Sequence, residues 1–257
     1  MERYGPETYG ERGADLYDDW YRDVLDPGPC VDLLAELAGS GPALELGIGT
    51  GRVALPLAER GVEVHGIDAS PAMLERLRAK PGADHVVTHL GDMGEVAVDG
   101  EFPLVFVLVN TIFMLGSQDE QVSCFQAVSR RLAPAGRFVV EAQVPDVGLY
   151  SQRQQVRTQR VDADSVVLAA RSFDPVTQRM VAQQVQLSEA GLRLVPGILR
   201  FAWPAELDLM ARLAGLRLSQ RWSGWKREPF TATSAMHVSV YQRPVSAAAA
   251  VFPGSAW

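Results

Sequence analysis

The sequence predicts an α/β fold: a parallel sheet with helices on both faces, carrying an inserted antiparallel sheet. Three observations predict it. Strand-like and helix-like segments alternate over residues 43–143, as layered α/β chains do. Three glycines at alternate positions, Gly47, Gly49 and Gly51, fall at the first strand–helix junction. After Asp146 the rhythm changes to extended segments separated by turn residues.

The elements follow in order. Aromatic and acidic residues crowd the start, where 14–21 reads as a short helix and 31–38 as a second, stopped by Gly39. Residues 43–46 form an apolar strand, 52–59 a helix and 62–67 a second strand. Ser70 then caps a helix over 71–80 whose first residue is Pro71. Residues 85–90 and 104–109 are the third and fourth strands; the latter, LVFVLV, is apolar without alternation, as a strand covered on both faces must be. A helix over 118–132 and the turn Ala133-Pro134-Ala135-Gly136 lead into a fifth strand, 137–143. Three strands, 166–173, 179–187 and 192–202, then make a small antiparallel sheet, and the alternation of Val181, Gln183, Val185 and Leu187 lets that face roof a pocket. A helix from Pro204 to Ala214 and two strands, 217–222 and 237–243, close the pattern. The chain thus divides into a helical cap (1–42), a core (43–145 and 204–243), an inserted lid (146–203) and a loose tail (244–257).

Composition narrows the function. In 257 residues, 24 Lys plus Arg face 31 Asp plus Glu, a formal net charge of −7. Without clustered cations, no nucleic acid partner is expected. Cys30 and Cys124 make neither a disulfide framework nor a metal finger, which points to a reducing cytoplasmic compartment. No membrane partner is expected, because no apolar run reaches spanning length and the first residues lack a signal peptide's apolar core.

The glycine loop reads Glu45-Leu46-Gly47-Ile48-Gly49-Thr50-Gly51-Arg52. A dinucleotide fingerprint needs glycine at the sixth position from Gly47, and Arg52 stands there; a phosphate loop needs a Gly-Lys-Ser/Thr that is absent. A carboxylate at the end of an apolar strand, Glu45, would repel pyrophosphate and attract a cation. Asp68 ends the second strand, where an acid accepts both ribose hydroxyls. Asp92, just past the third, offers an acceptor to an exocyclic amine. Three acids around a glycine loop describe a site for a cationic nucleoside.

These residues resemble a class I S-adenosylmethionine-dependent methyltransferase. Glu45, Gly47, Gly49 and Gly51 match the family's Glu/Asp-x-Gly-x-Gly-x-Gly; Asp68 matches its ribose acid and Asp92 its adenine-contacting acid. Ala135 stands where the family's Pro-Gly-Gly turn has its first glycine. The resemblance implies a Rossmann-like seven-stranded sheet with a terminal antiparallel hairpin. It also implies a bound S-adenosyl-L-methionine against Tyr17, Glu45 and the loop residues Gly47, Ile48, Gly49, Thr50 and Gly51. Asp68, Ala69 and Met73 would line its ribose side, Asp92 and Met93 its adenine, and Val109 and Asn110 its methyl end.

The segment Tyr17-Asp18-Asp19-Trp20-Tyr21 resembles the aromatic segment of small-molecule methyltransferases of secondary metabolism, amino-sugar N-methyltransferases among them. There it folds over the cofactor's methionine end, where electron-rich rings suit a sulfonium. Tyr17, Tyr21, Asn110 and His237 are the candidate catalytic residues, His237 as a base. Glu141, Trp225 and Phe230, with Trp222, are candidates for the acceptor pocket. Asn110, where metal-dependent members carry an acid, disfavours a metal. The expected activity is metal-independent methyl transfer to a small-molecule acceptor, at N, O or C, by in-line displacement in a monomer or homodimer. The competing reading is a protein of the same fold that binds the cofactor without turnover.

Overall fold

The computed structural model describes residues 4–21, 27–146, 148 and 153–244. The tail assigned as loose lies, beyond Pro244, outside them.

Seven strands make the main sheet: β1 (Ala43–Leu46), β2 (Val64–Asp68), β3 (Val86–Leu90), β4 (Phe102–Val107), β5 (Leu132–Gln143), β10 (Arg217–Trp222) and β11 (Met236–Gln242). Their order is β3-β2-β1-β4-β5-β11-β10, with β11 antiparallel to both its neighbours and the other six parallel. The chain runs outward from β1 to β3 and then returns to the other side of β1, so a crevice opens at the carboxyl ends of β1 and β4. All four residues of β1 are buried because both faces are covered. Helices α2 (Gly28–Ala38), α3 (Ala54–Glu59) and α4 (Pro71–Arg78) cover one face through Leu34, Leu57, Leu74 and Leu77. Helices α5 (Gln118–Arg131) and α6 (Pro204–Leu213) cover the other, where Phe125, Phe138 and Tyr241 meet edge to face. Ser70 caps α4 as expected, and Ser117 with Glu120 makes a reciprocal capping box on α5.

The cap helix α1 (Thr8–Tyr21) begins well before the expected residue 14. Gly10 and Gly13 depress helix propensity over its first turns and hide it from a propensity reading. Both are glycine for packing: a Cβ on Gly10 would lie 2.4 Å from the Cβ of Ser70, and one on Gly13 would lie 3.0 Å from Val195. The helix therefore sits pressed between the core and the inserted sheet.

That sheet has four strands, one more than expected: β6 (Gln154–Val161), β7 (Ser165–Asp174), β8 (Arg179–Ser188) and β9 (Gly191–Arg200), in that order. β6 reads QQVRTQRV and is exposed almost throughout, so it carries no alternation to detect. Cross-strand register sorts the residues into two faces. Val161, Val166, Leu187 and Leu192 form one row, and Thr158, Leu168, Val185 and Leu194 the next. This is the face expected to roof the pocket, and it does so only at one end: Ile198, paired with Val181, is buried and lines the cavity with Arg179, while at the other end Leu192 is 59% and Leu194 48% exposed. The opposite face, with Gln184 and Val195, meets α1.

Two boundaries differ in the core. The expected turn at 133–136 is the start of β5, with Ala135 in left-handed conformation at φ +62°. β4 ends at Val107 rather than 109, because Val109 and Asn110 leave the strand with φ of +51° and +65°. Among the described residues no helix is long and apolar enough to cross a membrane.

Candidate functional site

The glycine loop crosses the crevice between β1 and α3. Gly47 has φ +68°, and a Cβ there would come within 2.4 Å of the Thr111 methyl, so this position excludes every other residue. The amides of Gly47 and Ile48 both donate to the Ile67 carbonyl, at 2.8 and 3.1 Å. The amide of Gly49 donates to Asp68 Oδ2 at 2.8 Å, and that of Ser70 to Oδ1 at 2.9 Å. Burial raises the Asp68 pKa, and the Ser70 and Gly49 amides pull against it. The acid is thereby held in one orientation, facing the cavity.

The cavity beside it encloses about 420 Å³. Gly47, Gly49, Asp68, Ala69 and Met73 form one wall, and Asp92, Met93 and Thr111 another; Tyr9 and Tyr17 from α1 form the roof. The amide of Gly94 donates to Asp92 Oδ1 at 2.7 Å and fixes that side chain. At the other end of Tyr17 a smaller hollow is lined by Glu45, Ile48, Arg52, Leu108, Val109 and Thr111. Burial lifts the Glu45 pKa to about 8, against the pull of Arg52. Glu45 Oε2 and Arg52 Nε are both buried there without a hydrogen-bond partner. Buried polar atoms left open are rare and suit a ligand: a carboxylate and a guanidinium facing one hollow fit the ammonium and carboxylate of an amino acid. Burial also pushes the Tyr17 hydroxyl up to about 12, so it is neutral.

The roof is bonded in place. Thr50 Oγ1 donates to Asp18 Oδ1 at 2.6 Å, while Lys80 Nζ reaches Asp18 Oδ2 at 2.7 Å and the Thr50 carbonyl at 2.8 Å. Glu11 Oε1 accepts from Ser70 Oγ at 2.7 Å and from the Ala72 amide at 2.9 Å, at the start of α4. From above, Arg193 of the inserted sheet grips Asp15 through two hydrogen bonds of 2.8 and 2.9 Å.

Residues 43–136 match the family described as "Methyltransferase domain". The CcbJ methyltransferase from Streptomyces caelestis is 41% identical, with a TM-score of 0.87 over 94% of this chain and all of that one. The chain belongs to the S-adenosylmethionine-dependent methyltransferases. Cypemycin N-terminal methyltransferase of a Streptomyces species is 28% identical over 93% of this methyltransferase and 98% of its own length. The fold is shared with CalS10, an amino pentose methyltransferase from Micromonospora echinaspora solved with S-adenosylmethionine bound, at 24% identity and a TM-score of 0.66 over 89% of this chain and 96% of that one.

The methyltransferase brings Tyr17, Gly47, Gly49, Asp68, Ala69, Met73, Asp92 and Met93 to the larger cavity, and Glu45, Ile48 and Val109 to the smaller. Thr50 and Gly51 lie behind the loop, Thr50 as an anchor for α1 and Gly51 against Leu77. Asn110, Glu141, Trp225, Phe230, His237 and Tyr21, all expected at the site, border neither cavity. Asn110 accepts the Gln143 amide on its Oδ1 at 2.7 Å. Glu141 and Trp225 are bonded to each other, Glu141 accepting the Val109 amide on Oε2 and the Trp225 indole N–H on Oε1. Phe230 packs on His237 and under Arg221. His237 is fully buried, bonded to Ser239 Oγ at 2.8 Å, and burial lowers its pKa to about 4; it borders neither cavity and is placed as a neutral core residue. Tyr21 also stands back from both, its hydroxyl 3.2 Å from the Tyr9 hydroxyl and 3.2 Å from the Gln184 amide nitrogen.

Sequence reasoning passed over Arg52, Tyr9, Thr111 and Arg179, all of which line a cavity. Arg52 was visible only as the residue that breaks the dinucleotide spacing. The others are brought in by elements whose packing partners lie far off in sequence.

Proposed function

We propose that this methyltransferase transfers a methyl group to a small-molecule acceptor, with nitrogen as the nucleophile. The observation that carries the reading is the cover over the pocket: Tyr9 and Tyr17 of α1 and Arg179 and Ile198 of the inserted sheet line a cavity of about 420 Å³ together with the glycine loop. Nitrogen is supported by the likeness to cypemycin N-terminal methyltransferase and to the sugar N-methyltransferase KedS8.

Bound in the site, S-adenosylmethionine supplies an electrophilic methyl carbon on a sulfonium. Asp68 is assigned to the ribose hydroxyls, Asp92 and Met93 to the adenine, and Glu45 with Arg52 to the ends of the methionine. Tyr17, which lines both cavities, would meet the sulfonium end, where a neutral ring would attract a cation and help exclude water. With His237 neutral and remote, the proton leaves the acceptor amine to solvent. Tyr17, not Asn110 or His237, is the candidate catalytic contact. The two buried thiols, Cys30 and Cys124, suit a reducing cytoplasm.

The same reading includes a homodimer formed through the outer face of the inserted sheet. Four strands of eight to ten residues, at ~3.3 Å per residue and ~4.8 Å apart, present roughly 600 Å² in projection. The two rows nearest the turn between β8 and β9 carry no charge and form the exposed part of that face.

The test is incubation with S-adenosylmethionine and a panel of amino sugars and short peptides, followed by S-adenosylhomocysteine release and a mass gain of one methylene. A product on any small amine, lost in Tyr17→Ala, supports the reading. Release with none of them, despite tight cofactor binding, favours a binding protein without turnover.

A further inference from the structure

The corner after β4 is strained, and one buried carboxylate holds it. Val109 has φ +51° and Asn110 +65°. For a β-branched residue such as Val109 this conformation is a genuine outlier, kept only where the surroundings impose it. Glu141, 7% exposed, supplies the restraint. Its Oε2 accepts the Val109 amide at 3.0 Å, its carbonyl accepts the Asn110 amide at 3.4 Å, and Asn110 Oδ1 in turn accepts the Gln143 amide at 2.7 Å. Its other oxygen, Oε1, accepts the indole N–H of Trp225 at 2.9 Å, which ties the loop between β10 and β11 to the same carboxylate.

This corner is a wall of the smaller hollow. Leu108, Val109 and Thr111 line it together with Glu45, Arg52 and Tyr17, at the methionine end of the cofactor site. The ribose and adenine acids, Asp68 and Asp92, border the larger cavity and touch none of these bonds. We propose that Glu141 is a positioning residue for methyl transfer: it holds the Val109 corner and Trp225 in register against the methionine end of the cofactor. The proposal rests on the cofactor assignment made above. Glu141 acts through Val109 and touches neither cofactor nor acceptor. Released from Glu141, the Val109 amide relaxes toward ordinary backbone and the wall moves.

The experiment needs no acceptor. S-Adenosylhomocysteine reports on the whole site, and adenosine on its ribose and adenine end alone. Both are titrated calorimetrically into wild type, Glu141→Gln, Val109→Gly and the double variant. The substituted amide keeps the shape of the carboxylate but sets an N–H against one of two N–H donors. Glu141→Gln is expected to weaken S-adenosylhomocysteine about tenfold, the scale of a charge-assisted hydrogen bond, and to leave adenosine within about twofold. Val109→Gly in the same chain is expected to recover most of the loss, since glycine takes φ +51° without strain. If Glu141→Gln fails to fold, Trp225→Phe frees one oxygen while keeping a ring, and the same selective loss is expected at smaller size. Equal loss for adenosine, no loss at all, or a loss that Val109→Gly does not recover would overturn the proposal. Wild type that binds neither ligand would instead overturn the cofactor assignment beneath it.

Discussion

The hydroxyl of Thr50 donates to the carboxylate of Asp18 over 2.6 Å, so the cap helix and the glycine loop are one bonded unit. Lys80 completes the triangle from just beyond α4, at 2.7 Å from Asp18. Removing Asp18 takes the roof's anchor without touching the cavity. Asp18→Ala is expected to speed S-adenosylhomocysteine dissociation about three- to tenfold, the scale of one partly exposed ion pair and one hydrogen bond. Stopped-flow displacement checks this, and an unchanged rate would mean that the roof is held elsewhere.

Glu45 is expected to make cofactor affinity depend on pH. Its pKa is raised by burial to about 8 in the free protein, and an ammonium seated beside it favours the ionised form. Binding therefore expels a proton below that pH. Affinity for S-adenosylhomocysteine is expected to rise as pH increases from about 6 to 8 and to level off above. The linked stability term has the opposite sense: protonated Glu45 is favoured in the fold, so its contribution declines as pH rises from the ordinary carboxylate range to about 8. Calorimetry in buffers of different ionisation heat measures the proton. A flat profile, or one that Glu45→Gln leaves intact, would remove Glu45 from this role.

Ala135 occupies a left-handed backbone, φ +62°, at the start of β5. An alanine there costs about 1–2 kcal/mol relative to a relaxed conformation. Glycine relieves that cost but gives back about 0.4–1 kcal/mol through the freedom of the unfolded chain. Ala135→Gly is expected to stabilise by about 0.5–1 kcal/mol and to raise Tm by roughly 1–4 °C, with cofactor affinity unchanged. A lower Tm in differential scanning calorimetry would contradict the strain.

Leu194 stands in the uncharged outer row of the inserted sheet, opposite Val185. If two copies meet through this face, Leu194→Glu places like charges near the two-fold axis and splits the dimer. Sedimentation velocity is expected to show a dimer for wild type and a monomer for the variant, with cofactor binding retained. A wild-type monomer at tens of micromolar would rule the assembly out.

Most of the core was legible because its signals are local. β1, Asp68 and the Ser70 cap each follow from a few adjacent residues, and the glycine spacing points away from pyrophosphate ligands. Legibility stopped where the decisive partner is distant. Gly10 lowers helix propensity, and its packing against Ser70 is visible only in the fold; β6, with polar residues throughout most of its length, has no alternation to read. The expected face of the inserted sheet reaches the cavity only through Ile198 and Arg179, because over α1 the other face turns inward: Gln184 meets Tyr21, while Leu192 and Leu194 face out. His237 failed as a base for a related reason. A histidine at a strand start looks available, and only the packing of Phe230 and Ser239 shows that it is not.

Helix α1 is bonded below to the glycine loop and α4 through Asp18 and Glu11, and above to the inserted sheet through Asp15. Tyr9 and Tyr17 of that same helix line the cavity. A change anywhere along α1, at its contact with the core or with the inserted sheet, therefore has a route to the cofactor pocket.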